Sequence, residues 1–263
     1  MPYLTEPPAG PLRRVVSLCP SVTDTIHAFS AWDLLVGRTR YCVHPRGLVQ
    51  AIPHVRGTKN PDLPALFALR PDLVVAVKEE NRQEDVALVA KHIPVLLLDP
   101  KTVEDAAEGA RELGSALNRQ VEGEQLARGI LRAARAARQA APAKAPRVVY
   151  LCWWDPAMGV GGDTFIHSML ATAGMHDLCG DRERYPTLTP QELAGFDPDA
   201  VLLSSEPFPF QERHRAELAE ATGLPLERFR LVDGELLSWH GARTVRGLDY
   251  AAQLAAALGG PLE

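Results

Sequence analysis

The chain has 263 residues, with 28 Lys and Arg against 33 Asp and Glu, a net charge of -5 and a pI near 5.9. That balance, with no cluster of Lys and Arg to override it, argues against a nucleic-acid surface, and no apolar run approaches the ~18 residues of a membrane span. A hydrophobic content of 46% is ample for one large core or two modest ones.

Residues 1–12 carry four prolines and a glycine and are expected to form an extended lead-in. They contain no charged n-region, apolar core or cleavage site, so the expected location is the cytoplasm, or the periplasm or cell surface if an export signal has been removed. A short apolar strand at 15–18 ends at Cys19-Pro20, and a helix over 22–29 is expected with Ser21 as its cap. A second strand at 36–39 feeds the loop Arg40-Tyr41-Cys42-Val43-His44-Pro45. After the Gly57-Thr58-Lys59-Asn60-Pro61-Asp62 turn, a short helix runs to Leu69 and is broken by Arg70-Pro71-Asp72. A buried strand at 73–77 then leads to Lys78-Glu79-Glu80-Asn81-Arg82, a helix to about Lys91 and a strand at 95–98.

From Thr102 to Ala140 apolar residues recur every three or four positions, from Val103, Ala106 and Ala110 to Leu126, Ile130 and Ala134. Thr102 with Asp105 suits an N-cap, acids crowd the first turns, arginines crowd the last, and Pro142 and Pro146 stop the pattern. The spacing predicts one helix, roughly 57 Å long at ~1.5 Å per residue. Two ordinary helices, broken at Asn118 or a glycine, are the alternative.

The second half repeats the first. Arg147-Val148-Val149-Tyr150-Leu151-Cys152-Trp153 echoes Arg14-Val15-Val16-Ser17-Leu18-Cys19-Pro20, and Phe196-Asp197-Pro198-Asp199-Ala200-Val201 echoes Leu69-Arg70-Pro71-Asp72-Leu73-Val74. Its elements are strands at 148–152, 201–204 and 229–232, with helices from Thr164 (capped by Asp163), at 190–195, at 211–221 and at the chain end. The segment 233–241 is expected to be a loop. The fold class is therefore α/β: two similar lobes with mostly parallel sheets, 1–101 and 142–263, joined by a backbone helix over 102–141, with a ligand cleft between them. Cys19, Cys42, Cys152 and Cys179 form no CxxC pair and are expected as small buried residues.

Ligands of parallel sheets gather at the strands' carboxyl ends, and there the chemistry-bearing residues lie. The candidate ligand-binding set is Tyr41, His44, Glu79, Arg82, Trp153, Trp154, Glu206, Phe208, Trp239 and His240. Trp153 and Trp239 offer stacking area, while Glu206 and His240 fix orientation or approach a metal. Plainer readings stand beside these: Trp153-Trp154 as an interior plug, Glu79 to Arg82 as a helix start, and His27 and His167 as structural histidines. Gly161-Gly162-Asp163-Thr164 before a helix could hold a phosphate, but no Lys follows and it is not a P-loop. No Ser-His-Asp order, HExxH or carboxylate dyad marks a catalytic set. A metal-dependent hydrolase using His44, His240 and Glu206 is the remaining enzyme reading.

Residues 15–24, the 57–62 turn, 69–74 and 196–201, with the helical stretch between them, resemble the helical-backbone class of periplasmic binding proteins. These serve ABC importers of vitamin B12, haem and ferric siderophores. Trp153-Trp154-Asp155-Pro156, Val160 to His167 and Asp233 to Gly241 are similar to a cobalamin-binding-like subgroup. The resemblance implies a monomeric, non-catalytic receptor with a cobalamin-like or other metal-chelate ligand, no covalently bound cofactor and little hinge bending. It also implies a docking glutamate for the permease in each lobe. Aligned on Arg70-Pro71-Asp72 and Asp197-Pro198-Asp199, those positions hold Pro64 and Gln191, with Asp62 and Glu192 nearby. A cytosolic corrinoid or metal-chelate carrier or sensor that meets no permease is the alternative.

Overall fold

Each half of the chain builds a four-stranded parallel sheet in the same strand order, because the same motif recurs in the same place. The computed structural model describes Pro8 and residues 10–260, so most of the expected lead-in lies outside the described residues. Two units result: one takes in the chain through Pro100, Glu104–Ile130 and His240–Arg243, the other Lys101–Val103, Leu131–Trp239 and the chain from Thr244.

In the first unit β1 (Val15–Ser17), α1 (Pro20–Ala28), β2 (Leu35–Gly37), α2 (Leu63–Ala68), β3 (Leu73–Val77), α3 (Gln83–Ala90) and β4 (Val95–Leu98) alternate, with strand order β2-β1-β3-β4. The register pairs Val15 with Leu73 and Val74 with Val95. Val16, Leu18, Val74, Ala76 and Val95 pack with Leu66 of α2 and Val86 and Val89 of α3. Each of the Val and Leu side chains taken fully out of water contributes ~1.5–3 kcal/mol. The expected helix start is corrected here. α1 begins at Pro20, Cys19 is its N-cap residue without a side-chain bond, and Ser21 lies inside the helix.

The clasp that closes each sheet at its amino end explains the internal repeat. Arg70 at φ 45° reverses the chain after α2, and Asp72 Oδ2 accepts the amides of Arg13 (2.8 Å) and Arg14 (2.9 Å). The Arg14 guanidinium donates back to the Leu69 carbonyl at 2.9 and 2.7 Å. In the second unit Asp197 takes φ 44°, Asp199 Oδ2 accepts the Arg147 amide at 2.8 Å, and the Arg147 guanidinium reaches the carbonyls of Phe196 (2.8 Å) and Asp197 (3.1 Å).

Residues 102–140 are two helices, α4 (Val103–Ala116) and α5 (Gln120–Gln139), and the single long helix is corrected. Asn118 at φ 55° ends α4, with its amide on the Ser115 carbonyl (3.3 Å) and the Arg119 amide on the Gly114 carbonyl (2.7 Å). That pair of bonds is a Schellman stop, and asparagine tolerates the left-handed conformation it needs. The helices then meet through glycine. A Cβ on Gly114 would lie 2.8 Å from the Gly123 Cα and 2.7 Å from the Arg119 carbonyl oxygen, and Arg111 pairs with Glu124 at 2.7 Å. α5 runs from the first unit, which it leaves after Ile130, into the second, which begins again at Leu131.

The second unit comprises β5 (Arg147–Leu151), α6 (Phe165–Thr172), β6 (His176–Asp177), α7 (Pro190–Gly195), β7 (Ala200–Ser204), α8 (Glu212–Thr222), β8 (Phe229–Val232), α9 (Gly234–Ser238) and α10 (Thr244–Gly259), with strand order β6-β5-β7-β8. Successive strand residues face opposite sides. Val148, Tyr150, Ala200 and Leu202 enter one core with Ile166, Leu170 and Ala251, while Val149, Leu151, Val201 and Leu203 enter another with Leu193 and Leu218. Three local expectations are corrected. Thr164, not Asp163, caps α6; β6 is a short strand the pattern did not predict; and residues 234–238 are helical because the Asp233 carboxylate caps them through the Leu236 amide.

Glycine chemistry in α4 gives a paired test. A Cβ on Gly109 meets only Leu98 Cδ2 at 3.9 Å, so Gly109→Ala stabilises the protein by about 0.5–1 kcal/mol. Gly114→Ala drives a methyl into backbone and destabilises by about 1–3 kcal/mol. Urea midpoints of the two variants, moving in opposite directions from the parent, are the check.

Candidate functional site

In the first unit the turn over 57–60 gathers the strand-end groups. A Cβ on Gly57 would collide with Asn60 and sit 3.2 Å from the Tyr41 ring, so glycine lets Tyr41 lie against the turn. On its other side Lys59 Nζ donates to the Glu79 carbonyl at 2.6 Å. Asn81, 6% exposed, ties the arrangement together: its Oδ1 accepts the Val77 amide (2.8 Å), and its Nδ2 donates to the carbonyls of Leu18 (3.0 Å) and Thr58 (3.1 Å). One side chain therefore fixes the ends of β1 and β3 and the turn. Burial pushes the neighbouring Glu80 carboxyl up, with Lys59 opposing.

Tyr41 is 49% exposed, with the Arg40 guanidinium 4.9 Å over its ring and Arg40 Nη2 donating to its hydroxyl at 2.7 Å. Its loop is organised from beneath by buried Arg38, which donates to the carbonyls of Val49, Ile52 and Thr39 at 2.8, 3.1 and 3.0 Å. His44 lies partly exposed in the same loop. Arg82, expected to face ligand, sits before α3 with its guanidinium on Glu84 (2.7 Å) and near Asp85 (3.7 Å). His240 is held by Ser21 Oγ at 3.1 Å, and burial pushes its imidazole down to about 4.

All four cysteines are free and buried. Cys42 Sγ lies 3.1 Å from Thr23 Oγ1 and 3.2 Å from Thr39 Oγ1, Cys19 Sγ lies 3.2 Å from Ser21 Oγ, and burial raises both thiols. They remain protonated and unreactive at neutral pH.

In the second unit an aromatic row follows the strand ends. Trp153, 41% exposed, meets Phe208 edge-on at 5.8 Å; Phe208 in turn packs on Phe210 (4.8 Å) and His214 (5.1 Å). His214 is buried, and its Nδ1 accepts the Gln211 amide at 2.8 Å. Trp154 packs partly buried against the core that includes Leu151 and Leu218, and Trp239 is 7% exposed. Ser238 Oγ donates to Glu206 Oε1 at 2.6 Å, so the end of α9 and the loop after β7 share one hydrogen bond. A Cβ on Gly234 would strike Ser204 Oγ and come 2.8 Å from Glu206 Cγ, which requires glycine there.

The candidates thus fall into two sets: Tyr41, His44, Glu79, Arg82 and His240 in the first unit, and Trp153, Trp154, Glu206, Phe208 and Trp239 in the second. The 57–60 turn touches the Tyr41 ring at Gly57 and the Glu79 carbonyl through Lys59, and Phe208 contacts Trp153. Sequence reasoning missed Arg38, Asn81, Ser238 and His214. Only Asn81 carried a signal, as a polar residue in the turn that follows a buried strand. The Gly161 and Gly162 amides are spent on the carbonyls of Arg184 (2.7 Å) and Arg182 (2.9 Å), so that loop does not cradle phosphate. Among the described residues no three His, Cys, Asp or Glu side chains are grouped to hold a metal ion. Among the described residues no helix is long and apolar enough to cross a membrane.

Pro64 and Gln191 occupy equivalent places in the two units. Both are exposed, each one residue past the first of its short helix, α2 or α7. The neighbouring acids are committed locally. Asp62 Oδ1 caps α2 through the Ala65 amide (3.0 Å), and its Oδ2 pairs with Arg56 at 3.4 Å. Glu192 Oε2 accepts the Thr189 amide (2.9 Å) in a capping box, and its other oxygen lies 3.4 Å from Arg182.

His240 gives a pH test whose sign follows from linkage. Between about pH 6.5 and 4 the unfolded chain holds a proton there that the folded chain refuses, so stability falls as pH drops across that window. The slope from this group approaches ~1.4 kcal/mol per pH unit. Denaturant titrations of His240→Gln and the parent between pH 7 and 4 are expected to differ by that slope.

The family model described as periplasmic binding protein matches residues 15–222. The vitamin B12-binding protein of Salmonella typhi is 28% identical over 196 residues, 73% of this chain and 73% of that protein. That of Yersinia pestis is 24% identical over 200 residues, 75% and 71% of the two chains. Among solved structures, the periplasmic vitamin B12 binding protein BtuF of Vibrio cholerae aligns with a TM-score of 0.82 at 18% identity, over 95% of this chain and 99% of its own. The periplasmic heme-binding protein BhuT, in complex with two hemes, aligns at 0.80 and 23% identity, over 94% and 99%.

Proposed function

Because the chain belongs to the periplasmic binding protein family, we propose that it is a receptor for a cobalamin-like or other metal-chelate ligand and catalyses no reaction on it. The observation that carries this reading is the pair of half-exposed aromatics, Tyr41 and Trp153, each braced at the strand ends of its own unit. An aromatic face kept in water by a cation above it or a ring beside it is ready to stack on a large planar ligand. The names of the relatives, which cover vitamin B12 and heme, supply the ligand class and leave its members to be separated by experiment. The purified chain is titrated with cyanocobalamin, haemin and a ferric hydroxamate, followed by absorbance and tryptophan fluorescence. Saturable binding of one of them is expected, and Trp153→Ala is expected to weaken it by about tenfold or more, as for a central aromatic anchor. Trp239 is buried, so Trp239→Ala lowers stability as well as affinity.

Solved relatives are described as periplasmic, and this favours the extracytoplasmic reading of the chain's location over the cytoplasmic one. Docking on a permease is a separate question, and the committed Asp62 and Glu192 favour a receptor that lacks the usual pair of charged contacts. Charge pairs of that kind set encounter rate and register. In a pull-down with a vitamin B12-type permease, no salt-sensitive retention of this chain is expected. Salt-sensitive retention that disappears on Asp62→Ala or Glu192→Ala reverses the reading.

A further inference from the structure

The second unit holds a cavity of about 520 Å³ that none of the strand-end residues line. It is walled by Lys101 and Thr102 before α4, Arg138 near the end of α5, Gly162 and Asp163, and His167, Ser168 and Thr172 of α6. The volume is that of a small-molecule site.

The lining is rich in donors. Lys101 and Arg138 bring two permanent cations. The single carboxylate, Asp163, is engaged elsewhere: its Oδ1 accepts the Arg184 amide at 2.6 Å, and its Oδ2 lies 3.6 Å from the Arg184 guanidinium. Ser168 Oγ accepts the Val103 amide at 3.0 Å, which leaves its own proton to donate. His167 is set by a second residue. Its Nδ1 lies 2.9 Å from Oδ2 of Asp177, a side chain with no exposed surface whose other oxygen accepts the Cys179 amide at 3.1 Å. With Nδ1–H given to Asp177, Nε2 is the imidazole nitrogen left for the cavity, and the same pairing raises the ring's proton affinity.

From this cavity and its lining we infer that the second unit binds a small anion, a phosphate or carboxylate group on a compact molecule, at Lys101, Arg138, His167 and Ser168. The loop amides of Gly161 and Gly162 take no part, since their bonds are made. The site is separate from the strand-end residues assigned to the chelate.

The test uses the full chain, with the His167 imidazole resonance assigned through His167→Gln and followed by NMR. Inorganic phosphate, succinate and sodium chloride are titrated at one ionic strength. A saturable shift with phosphate or succinate supports the assignment, and the responding probe identifies phosphate or carboxylate chemistry. Lys101→Ala and Arg138→Ala, both at exposed positions, are each expected to weaken it about tenfold, the loss of one charge-assisted hydrogen bond. A response no different from that to chloride overturns the inference, as does unchanged affinity in both variants with circular dichroism intact.

Discussion

An aspartate following a proline, holding the amide where the central strand begins, is the constraint on which both sheets rest. Asp72 and Asp199 each do this, and Arg14 and Arg147 return the contact to the preceding helix end. The clasp fixes where β1 and β3, or β5 and β7, start relative to one another. Register then follows, and with it the alternation of core-facing residues that divides the second unit's strands between two apolar clusters. A sheet pinned at its amino end leaves its carboxyl-end loops to vary in length and chemistry. Aromatic and acidic side chains collect there for that reason.

Much of this was legible in the sequence because the constraint is local and repeated. The echo between Leu69-Arg70-Pro71-Asp72 and Phe196-Asp197-Pro198-Asp199 is visible as letters, and each letter has one physical task. The helical middle was legible in its burial but not in its continuity. Periodicity reports which face is covered, and α4 and α5 both cover theirs, so the pattern runs through a break that Asn118 makes with its own backbone. Short elements were missed for a related reason: β6 has two residues and α9 five, too few for any period to register.

The candidate residues were legible by their place in the chain and less so by their surroundings. That strand ends would carry Tyr41, Glu79, Trp153 and Glu206 followed from the α/β pattern. Which of them point to water depended on partners distant in sequence. Trp153 stays half exposed against Phe208, 55 residues on, while Trp239 went inward. The residues that organise these loops, Asn81 and Arg38, do so through backbone carbonyls, which leave no trace in side-chain patterning. The same holds for Asp62 and Glu192, whose charge is visible in the sequence while its commitment to a helix start is not.

The burial of every cysteine has a practical consequence. With Cys19, Cys42, Cys152 and Cys179 enclosed and their thiols held protonated or packed away, the native surface offers no fast-reacting sulfur. A thiol installed on a loop at the strand ends becomes the sole target for a maleimide dye. The chain can then be turned into a fluorescent reporter of its own ligand without first removing any of the residues that fill its cores.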